Sequence, residues 1–592
     1  MGPVPEQPSN LVAAFNLLAS LRRLGLVRLV LCPGSRSTPL ALAAAALEGR
    51  GLRLHTAIDE RSAAFFALAL GRARGIPAAV VTTSGTAVAN LLPAAVEADQ
   101  GAIPLLLLTA DRPARLKGCG ANQTVNQEHF LRCCCRWVGQ GPPPGLASAS
   151  GHDLAAMAAR AIAAATGHAG PMPPGPVQLN LPFEEPLHPG GDQLRRLRGL
   201  ALPSPPEPPE APDAPAPAAE AESATLRPDQ PGVVVAGPWR GGPSAWEGHL
   251  EALRQWQRSS GWPLLADPLS GLRGQPGLEV VSGYDLLLEA PPAELAPAQV
   301  LRLGPLPASR RLESWLARLP GRQVLVSAGD PRPLDPLRRV EAQWSAGMAA
   351  WLRTLPGAAA DSDVPAPACM RFASRWHRDE ERLQRWLDRQ LPPDRWSEPL
   401  LARLLDRQLP PQLPVMLANS SPVRDWESFA GPGSPRPVHG FRGASGIDGT
   451  LSLACGLAEV CGHVVLVTGD LALLHDSNGW LWSRQLRGRL TVVLIDNGGG
   501  GIFEQLPVRA LSPAHVDFER LFAMPQPVDA CALAAVHGIP TRTVAEPAGL
   551  AADLDWALTQ PAALLRVRTD RHRDADLRRR LRTMARQAIS EP

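Results

Sequence analysis

Short apolar runs that end in polar residues recur along three stretches of the chain. The first stretch predicts strands at 26–32, 78–83 and 104–109, with a helix after Thr38, a helix from Glu60 to Arg74 and a helix from Thr86. The second predicts strands at 232–236, 299–303 and 323–327, and the third at 463–468 and 490–495. Apolar strands that alternate with helices are typical of parallel sheets covered by helices on both faces. The pattern therefore predicts an α/β protein with three doubly wound parallel-sheet domains.

Two segments rich in proline and alanine separate these stretches. Residues 203–230 and 355–368 hold too few apolar side chains to build a core, so we expect extended connections there. The predicted organisation is an N-terminal domain at 1–190, a linker at 191–230, a central domain at 231–365 and a C-terminal domain at 366–592. A length of 592 residues suits about three to four domains.

Composition narrows the classes of function. A formal charge of +3, without a dense basic block, gives no reason to expect a nucleic-acid partner. No apolar run approaches the roughly 20 residues of a membrane-spanning helix, and the first residues lack a signal-sequence pattern, so we expect a cytoplasmic protein without a membrane span. Nine cysteines show no paired C-x-x-C spacing, which favours buried thiols over a metal or disulfide framework.

Lys117 is the only lysine, against 58 arginines. A phosphate-binding loop of the G-x-x-x-x-G-K-[ST] type therefore has no lysine to use, and a pyridoxal Schiff base would depend on Lys117. We therefore expect small-molecule substrates, but neither a phosphate-binding loop of this type nor a pyridoxal Schiff base at another position.

Polar residues follow the two strands predicted in the third stretch. Gly469 and Asp470 come after the first of them, and Asn497 with the glycines 498–501 comes after the second, 27 residues beyond Asp470. A carboxylate, an amide oxygen and a backbone carbonyl near Gly499 are hard oxygen ligands that suit Mg²⁺, and glycines let a backbone approach phosphate groups. A Gly-Asp pair alone is usually just a turn, but this spacing is more specific. The third stretch thus predicts a magnesium and diphosphate site.

The first stretch carries its own polar strand ends. Glu60 stands at a strand-to-helix junction, where an acid is most often a helix cap. The residues 82–86 bring hydroxyl groups to a neighbouring strand end, where they could cradle a polar ring. Together, the two features favour a ligand-binding role for this edge.

These residues and several segments around them resemble the thiamine diphosphate enzymes of the decarboxylase and carboligase superfamily. More narrowly, the chain resembles the family of 2-succinyl-5-enolpyruvyl-6-hydroxy-3-cyclohexene-1-carboxylate (SEPHCHC) synthases of menaquinone and phylloquinone synthesis. The matching segments lie in the first and third stretches, and the middle stretch matches faintly. They are 32–40, 58–61, 83–90, 109–113, 120–123, 419–420 with Arg424, 442–449 and 500–503.

The resemblance implies domains of the thiamine diphosphate-enzyme type, with a pyrimidine-binding N-terminal domain and a diphosphate-binding C-terminal domain. Glu60 would hydrogen-bond the aminopyrimidine, and Ile447 would support the bent cofactor. The cofactor-binding residues implied are Glu60, Thr83, Ser84, Asn419, Ser445, Ile447, Gly469, Asp470, Leu471 and Asn497. The metal, Mg²⁺ or Mn²⁺, would be held by Asp470, Asn497 and Gly499.

The reaction implied is a transferase reaction that decarboxylates 2-oxoglutarate and adds the succinyl carbanion to isochorismate in conjugate fashion. Both substrates are dianions, and guanidinium groups bind carboxylates through two oxygens at once. The catalytic residues implied are Glu60, Arg36, Arg442 and Gln123. The substrate-binding residues implied are Ser35, Arg36, Arg112, Gln123, Arg310, Arg311, Ser420, Arg424, Arg442, Ile502, Phe503 and Leu506.

Two positions depart from the family pattern. Arg310-Arg311 stands where the family has a Lys-Arg pair, and Asp496 replaces a frequent asparagine before Asn497. Asp496 could cap its turn or add negative charge near the diphosphate. The family also implies a homodimer or homotetramer, with the cofactor between the first domain of one subunit and the third domain of its partner.

Three other functions stay open at this point. Another thiamine diphosphate-dependent 2-keto acid lyase or carboligase is the nearest alternative, although an arginine-rich pocket disfavours small monoanionic substrates. A non-catalytic subunit would be expected to lack Glu60 or Asp470, and both are present. A nicotinamide or flavin dehydrogenase is disfavoured because the glycines at 498–501 lack the G-x-G-x-x-G spacing.

Overall fold

A computed structural model of the protein describes residues 9–188, 191–200, 202, 226–355, 364–512 and 514–590. Most of the predicted linker and residues 356–363 of the second connection lie outside these ranges. The described residues form three six-stranded sheets in which all paired strands are parallel. The predicted fold class, three doubly wound parallel-sheet domains, is confirmed.

The first sheet has the strand order β2-β1-β3-β4-β6-β5. Its strands are β1 (Arg28–Leu31), β2 (Arg53–Thr56), β3 (Ala78–Thr82), β4 (Leu105–Asp111), β5 (Trp137–Gln140) and β6 (Pro176–Pro182). The helices of this part are α1 (Asn10–Arg23), α2 (Thr38–Leu47), α3 (Glu60–Arg74), α4 (Thr86–Ala89), α5 (Leu92–Gly101), α6 (Gly151–Ala165) and α7 (Gly191–Gly199). β4 and β6 are buried along their whole lengths, as expected for parallel strands with helices on both faces.

The second sheet has the order β12-β11-β10-β7-β8-β9. Its strands are β7 (Gly232–Ala236), β8 (Leu264–Ala266), β9 (Val280–Val281), β10 (Gln299–Leu303), β11 (Arg322–Val326) and β12 (Ala342–Trp344). The helices here are α8 (Trp246–Ser260), α9 (Tyr284–Leu287), α10 (Arg310–Arg318), α11 (Met348–Arg353) and α12 (Pro367–Gln390). Separate apolar clusters cover its two faces, one around Trp256 and one around Trp376.

The third sheet has the order β14-β13-β15-β16-β18-β17. Its strands are β13 (Val415–Leu417), β14 (Val438–His439), β15 (His463–Gly469), β16 (Arg489–Asp496), β17 (Thr541–Thr543) and β18 (Ala562–Arg568). The remaining helices are α13 (Glu398–Gln408), α14 (Ser421–Phe429), α15 (Thr450–Cys461), α16 (Asp470–His475), α17 (Ala530–Val536), α18 (Leu550–Thr559) and α19 (Arg571–Ser590).

The chain divides into two compact units. The first comprises the first sheet with residues 441–461 and 476–487, and the second comprises the second and third sheets. α15 therefore belongs to the first unit, although the strands on either side of it in sequence belong to the third sheet. The domain boundaries expected from the sequence stay a prediction.

Helix α3 forms the centre of the first unit. Asp59 caps its N-terminus by accepting a hydrogen bond from the Ser62 N–H at 3.1 Å, and Gly75 ends it in the left-handed conformation at φ 69°. Its residues from Ser62 to Gly71 are buried on all sides, because α15 covers the face that the sheet does not. Ser62 and Ser452 share a hydrogen bond of 2.7 Å across this helix pair.

The cysteines differ in part from expectation. All nine are free thiols, and Cys32, Cys134, Cys369 and Cys455 are buried as predicted. The prediction is wrong for Cys119, Cys133 and Cys461, which are exposed. Cys119 and Cys133 lie in turns, and Cys461 is the last residue of α15. None of the described helices combines the length and the apolar composition that a membrane span needs.

Candidate active site

Three predicted site residues meet at the carboxyl edge of the first sheet. Arg112, just after β4, donates hydrogen bonds to the Ser84 hydroxyl and, at 2.8 Å, to the Gln123 carbonyl oxygen. The Gln123 side-chain amide in turn donates to the Ser84 carbonyl oxygen at 2.8 Å. These bonds fix the two loops after β3 and β4 against each other.

The backbone at this edge is closely packed. A Cβ atom on Gly85, which has φ +87°, would lie 2.9 Å from Gln123 Cγ. A Cβ atom on Gly34 would lie 2.3 Å from Thr83 Cβ, so the loop that carries Ser35 and Arg36 rests directly on Thr83. Close approach thus requires glycine at positions 34 and 85.

Arg36 and Arg112 make this edge electropositive. Arg36 donates to the Phe183 carbonyl oxygen at 2.8 Å and pairs with the exposed Glu185 at 3.3 Å. Its Nε is buried and has no hydrogen-bond partner among the described residues. Burial lowers the pKa of Arg112, and the nearby charge of Arg36 lowers it further. Two guanidinium groups this close favour an anionic ligand.

Glu60 is the first residue of α3 and lies at the same edge of the sheet. Its Oε2 accepts a hydrogen bond from Asn90 Nδ2 at 3.1 Å, and the residue is half-buried. Cys32, directly after β1, lies within its electrostatic reach: burial raises the pKa of the Cys32 thiol, and the charges of Glu60 and Asp59 raise it further. The carboxylate is therefore held at the strand ends, where the sequence predicted it.

Lys117 lies beside this edge and is neutralised there. Its Nζ pairs with Asp111 at 2.6 Å and with Glu128 at 2.7 Å. Burial lowers the pKa of Lys117, but the hydrogen bonds and charges of these two carboxylates outweigh that effect and leave the pKa above its ordinary value. The only lysine of the chain thus stabilises a loop.

The loop at 441–449 carries Arg442, Ser445 and Ile447 and also belongs to the first unit. The buried carboxylate of Glu97 in α5 accepts N–H hydrogen bonds from Gly443 and Ala444 at 2.7 Å and from Ser445 at 3.3 Å. A Cβ atom on Gly443 would lie 2.5 Å from the Gly101 backbone nitrogen. The loop is consequently fixed to α5 by one acid and a close backbone contact.

Asp470 and Asn497 lie at the carboxyl edge of the third sheet, in the second unit. Asp470 accepts N–H hydrogen bonds from Leu471 and Gly499, both at 2.8 Å. Asn497 donates through Nδ2 to Glu398 at 2.8 Å, while its Oδ1 is buried and has no hydrogen-bond partner within the described ranges. Burial raises the pKa of Asp470 to about 6, helped by the charges of Asp496 and Glu398.

The oxygen atoms of Asp470, Asn497 and Gly499 suit a divalent cation that binds a diphosphate group. An unpaired buried amide oxygen and a carboxylate that burial disfavours in its charged form would both be stabilised by a hard cation. The Gly499 carbonyl oxygen, the third predicted ligand, accepts from the Gly501 N–H at 2.8 Å and keeps a second lone pair. A Cβ atom on Gly499, at φ +121°, would lie 2.2 Å from the Ala523 carbonyl oxygen.

The comparisons with known proteins agree with this geometry. Three family models match: "Thiamine pyrophosphate enzyme, N-terminal TPP binding domain" at 12–130, "Middle domain of thiamine pyrophosphate" at 216–416 and "Thiamine pyrophosphate enzyme, C-terminal TPP binding domain" at 428–567. The chain is 56% identical to a SEPHCHC synthase of Synechococcus sp. (strain RCC307), over 98% of each protein. It is 51% identical to the SEPHCHC synthase of Prochlorococcus marinus (strain MIT 9313), over 94% of this chain and 97% of that protein.

The chain belongs to the SEPHCHC synthase family.

Membership of the SEPHCHC synthase family confirms the predicted relationship, the transferase class and thiamine diphosphate as the cofactor. The N-terminal family model ends at residue 130 and contains Glu60, Ser84, Arg112 and Gln123. The C-terminal family model contains Asp470, Asn497 and Gly499. Both strand edges described above therefore fall within cofactor-binding regions of the family.

The remaining predicted site residues of this SEPHCHC synthase family member lie on the second unit. Asn419 and Ser420 follow β13, where Ser420 has φ +74° and its carbonyl oxygen accepts from Arg424 at 2.7 Å. Ile502 and Phe503 are half-buried on the helical turn at 501–505, and Leu506 is exposed. All six residues stay predicted contacts, since their roles toward ligands are untested.

The two departures from the SEPHCHC synthase pattern have different surroundings. Arg311 at the start of α10 pairs with Asp285 and, at 3.4 Å, with Glu289, while Arg310 is exposed. The Asp496 carboxylate lies 4.0 Å from Arg566 and 3.9 Å from Arg568. Roles in substrate binding for the arginine pair stay predictions, and the charge of Asp496 has local counterions.

Sequence reasoning missed Glu97 and Glu398. Both are buried acids whose partners lie far away in sequence, 346 residues for Glu97 and Gly443 and 99 residues for Glu398 and Asn497. The available signal was weak: Glu97 stands among apolar positions of α5, and Glu398 follows a serine at a helix start.

Proposed function

We propose that this chain carries out the SEPHCHC synthase reaction, the decarboxylation of 2-oxoglutarate and the addition of the succinyl unit to isochorismate, with Mg²⁺ or Mn²⁺ bound at Asp470, Asn497 and Gly499. The observation that carries the proposal is the unpaired buried Oδ1 of Asn497 beside the Asp470 carboxylate. Thiamine diphosphate, when bound, supplies the electron sink that the loss of CO₂ from a 2-keto acid requires.

In this proposal, Glu60 holds the proton that is shared with the aminopyrimidine ring. Asn90 occupies its Oε2, so Oε1 is the atom that would hold a proton at a ring nitrogen of the aminopyrimidine. Thr83 and Ser84 would line the ring, and Ile447 would support it from the loop that Glu97 fixes. Gly469 and Leu471, on either side of Asp470, would border the diphosphate together with Asn419.

The arginines bind and orient the two dianions. Arg36 and Arg112 would receive carboxylate groups at the first sheet edge, beside Ser35 and Gln123, because their charges are only partly neutralised there. Arg424 with Ser420, and Arg442, would contribute further cationic and neutral partners. Ile502, Phe503 and Leu506 would exclude water from the reacting atoms.

The active form is a homodimer or a larger homo-oligomer in the cytoplasm. The proposal follows the organisation that the family resemblance implies, in which the first domain of one subunit and the third domain of its partner share a cofactor. The free state of all nine cysteines is compatible with a reducing compartment.

Two measurements test the function. Calorimetric titration of the protein with thiamine diphosphate should show binding that Mg²⁺ strengthens, and CO₂ release from 2-oxoglutarate should be coupled to product formation when isochorismate is added. Pyruvate serves as the matched substrate control, since a monoanion does not use the second carboxylate-binding group. Equal turnover of pyruvate would favour an acetolactate-type enzyme, and failure to bind thiamine diphosphate with Mg²⁺ would contradict the proposal.

A further inference from the structure

A buried polar network lies behind the candidate metal site, within the second unit. It joins Asn497 to Glu398 at the start of α13, to Arg578 of α19 and to Asp425 of α14. Glu398 is 1% exposed, Arg578 1% and Asp425 4%, so these charged groups are almost fully removed from water. Buried charges of this kind need partners, and each of them finds one inside the network.

Glu398 uses its two carboxylate oxygens for two different donors. Oε1 accepts from Asn497 Nδ2 at 2.8 Å, and Oε2 accepts from Arg578 Nη2 at 2.6 Å. Arg578 also donates through Nε to Asp425 at 2.7 Å. The Glu398 backbone N–H donates to Asp574 at 3.3 Å, which further fixes the start of α13.

A side-chain amide has one donor end and one acceptor end, so its orientation decides what it offers to a ligand. Glu398 accepts only and therefore attracts the Nδ2 end of Asn497. The Oδ1 end is left buried and without a hydrogen-bond partner in the described part of the chain. A 180° rotation about the Cβ–Cγ bond would exchange Oδ1 and Nδ2, and the amide would then present N–H groups to the cation.

We propose that Glu398 is a positioning residue that fixes the side-chain amide of Asn497, so that its oxygen faces the divalent cation. This inference rests on the proposed function, since it assumes that a cation binds at Asp470 and Asn497. Arg578 holds the second oxygen of Glu398 and so keeps the carboxylate in place between the two donors.

The substitution Glu398→Gln tests the inference most directly. Glutamine has one oxygen, which the charged Arg578 will retain, and its NH₂ group then faces Asn497. The Asn497 amide turns to accept from that group and presents Nδ2 to the cation. Because loss of such supporting contacts typically costs 10- to 100-fold in metal affinity, we expect a loss of about that size. The measurement is calorimetric titration of Mg²⁺ into the full-length protein with thiamine diphosphate.

A second substitution should restore binding. In the double variant Glu398→Gln with Asn497→Asp, the new carboxylate accepts from Gln with one oxygen and offers the other to Mg²⁺, so affinity should return to near the wild-type value. Loss of packing or stability would not be repaired by this exchange. The control Glu381→Gln removes a carboxylate at an exposed position of α12, outside the network, and its Mg²⁺ affinity should stay close to wild type.

The outcomes separate this inference from the proposed function. If the wild-type protein does not bind Mg²⁺ with thiamine diphosphate, the function fails. If it binds and folded Glu398→Gln binds equally well, or if the double variant recovers nothing, the positioning role is overturned. Should Glu398→Gln fail to fold by circular dichroism, Glu398→Asp provides the same test, because the shorter carboxylate withdraws from Asn497. Unchanged affinity in that folded variant would likewise refute the inference.

Discussion

At each of the two sheet edges, a hydrogen-bond partner fixes one end of a site side chain and leaves an oxygen atom at the other end for a ligand. Asn90 occupies one oxygen of Glu60, and Glu398 occupies the amide nitrogen of Asn497. In both residues the partner leaves one side-chain oxygen for a ligand. The chemistry of the site therefore depends on residues that need not touch the substrate.

We predict that Glu60→Gln leaves thiamine diphosphate affinity largely intact and lowers turnover by roughly 10²- to 10⁴-fold, the usual contribution of a positioned acid or base. Glutamine keeps the size and the hydrogen-bond acceptor for Asn90 but cannot exchange a proton at neutral pH. Steady-state kinetics with a parallel calorimetric titration measure the two effects. Glu48→Gln, at an exposed position, is the control, and wild-type turnover in Glu60→Gln would contradict the assigned role.

Residues at strand ends were predictable, and their supporting partners were not. The parallel-strand pattern puts Asp470 and Asn497 at one edge, because carboxyl ends of adjacent strands meet there. Glu97 and Glu398 are single acids among 56 in the chain, and nothing local in sequence indicates that each accepts hydrogen bonds from a remote loop. Such pairings depend on tertiary packing.

Among the elements, the contact between α3 and α15 is tight enough to restrict sequence. A Cβ atom on Gly456 of α15 would lie 2.4 Å from the Phe66 carbonyl oxygen and 2.7 Å from Ala69 Cβ. Glycine inside a helix normally costs about 0.5–1 kcal/mol relative to alanine, so its presence here is explained by the close approach of the helices.

We predict that Gly456→Ala destabilises the protein by roughly 1–3 kcal/mol, the usual cost of overpacking a core. The sign is opposite to the stabilisation expected for alanine in an open helix. Denaturant unfolding followed by circular dichroism measures it. Gly151→Ala, at the first residue of α6 with no atom near the added carbon, is the matched control and should be neutral or slightly stabilising. Equal stability of Gly456→Ala and the wild type would show that the helices separate at little cost.

Strands with long apolar runs were predictable from the apolar pattern, but short strands such as β9 and β14, of two residues each, were not predicted. α3 and the strands β7 and β10 have the bounds that the sequence predicted. Assignment of elements to compact units was not predictable, because α15 is attached to α3 by contacts such as Ser62 with Ser452, 390 residues apart. Periodicity carries no information about such distant partners.

For the whole molecule, the buried acid Glu427 predicts how stability depends on pH. Its Oε1 accepts from Tyr284 at 2.5 Å and from the Ser309 N–H at 3.2 Å. Burial raises the pKa of Glu427 to about 8, and the charges of Asp267 and Asp285 add to the shift. The unfolded chain releases this proton near its ordinary value of 4.5, so the folded state loses stability from this group as the pH rises between 4.5 and about 8.

We predict that Glu427→Gln, which cannot ionise, matches the wild type in thermal midpoint at about pH 5 and exceeds it increasingly up to about pH 9. Glu313→Gln on the exposed side of α10 is the control and should follow the wild-type profile. Parallel profiles for Glu427→Gln and the wild type would show that this carboxyl group does not couple to folding.

The proposed homodimer yields a complementation prediction. Glu60→Gln and Asp470→Asn should each be inactive as homodimers. If one subunit supplies Glu60 and its partner supplies Asp470, a mixed dimer contains one intact site, and dual-tag purified heterodimers should show about half of wild-type activity. Heterodimers as inactive as their parents would place both residues of each site on one chain. Self-mixed samples of each variant serve as controls.

The single lysine gives the protein a natural chemical probe. Apart from the terminal amine, Lys117 is the only primary amine that an acylating reagent can modify, and its ion pairs with Asp111 and Glu128 slow the reaction by keeping the amine protonated. Acylation then proceeds chiefly when the segment opens, so its rate reports local unfolding beside Arg112 and Gln123. Mass spectrometry of one peptide could therefore follow the ordering of this loop on ligand addition without any engineered label.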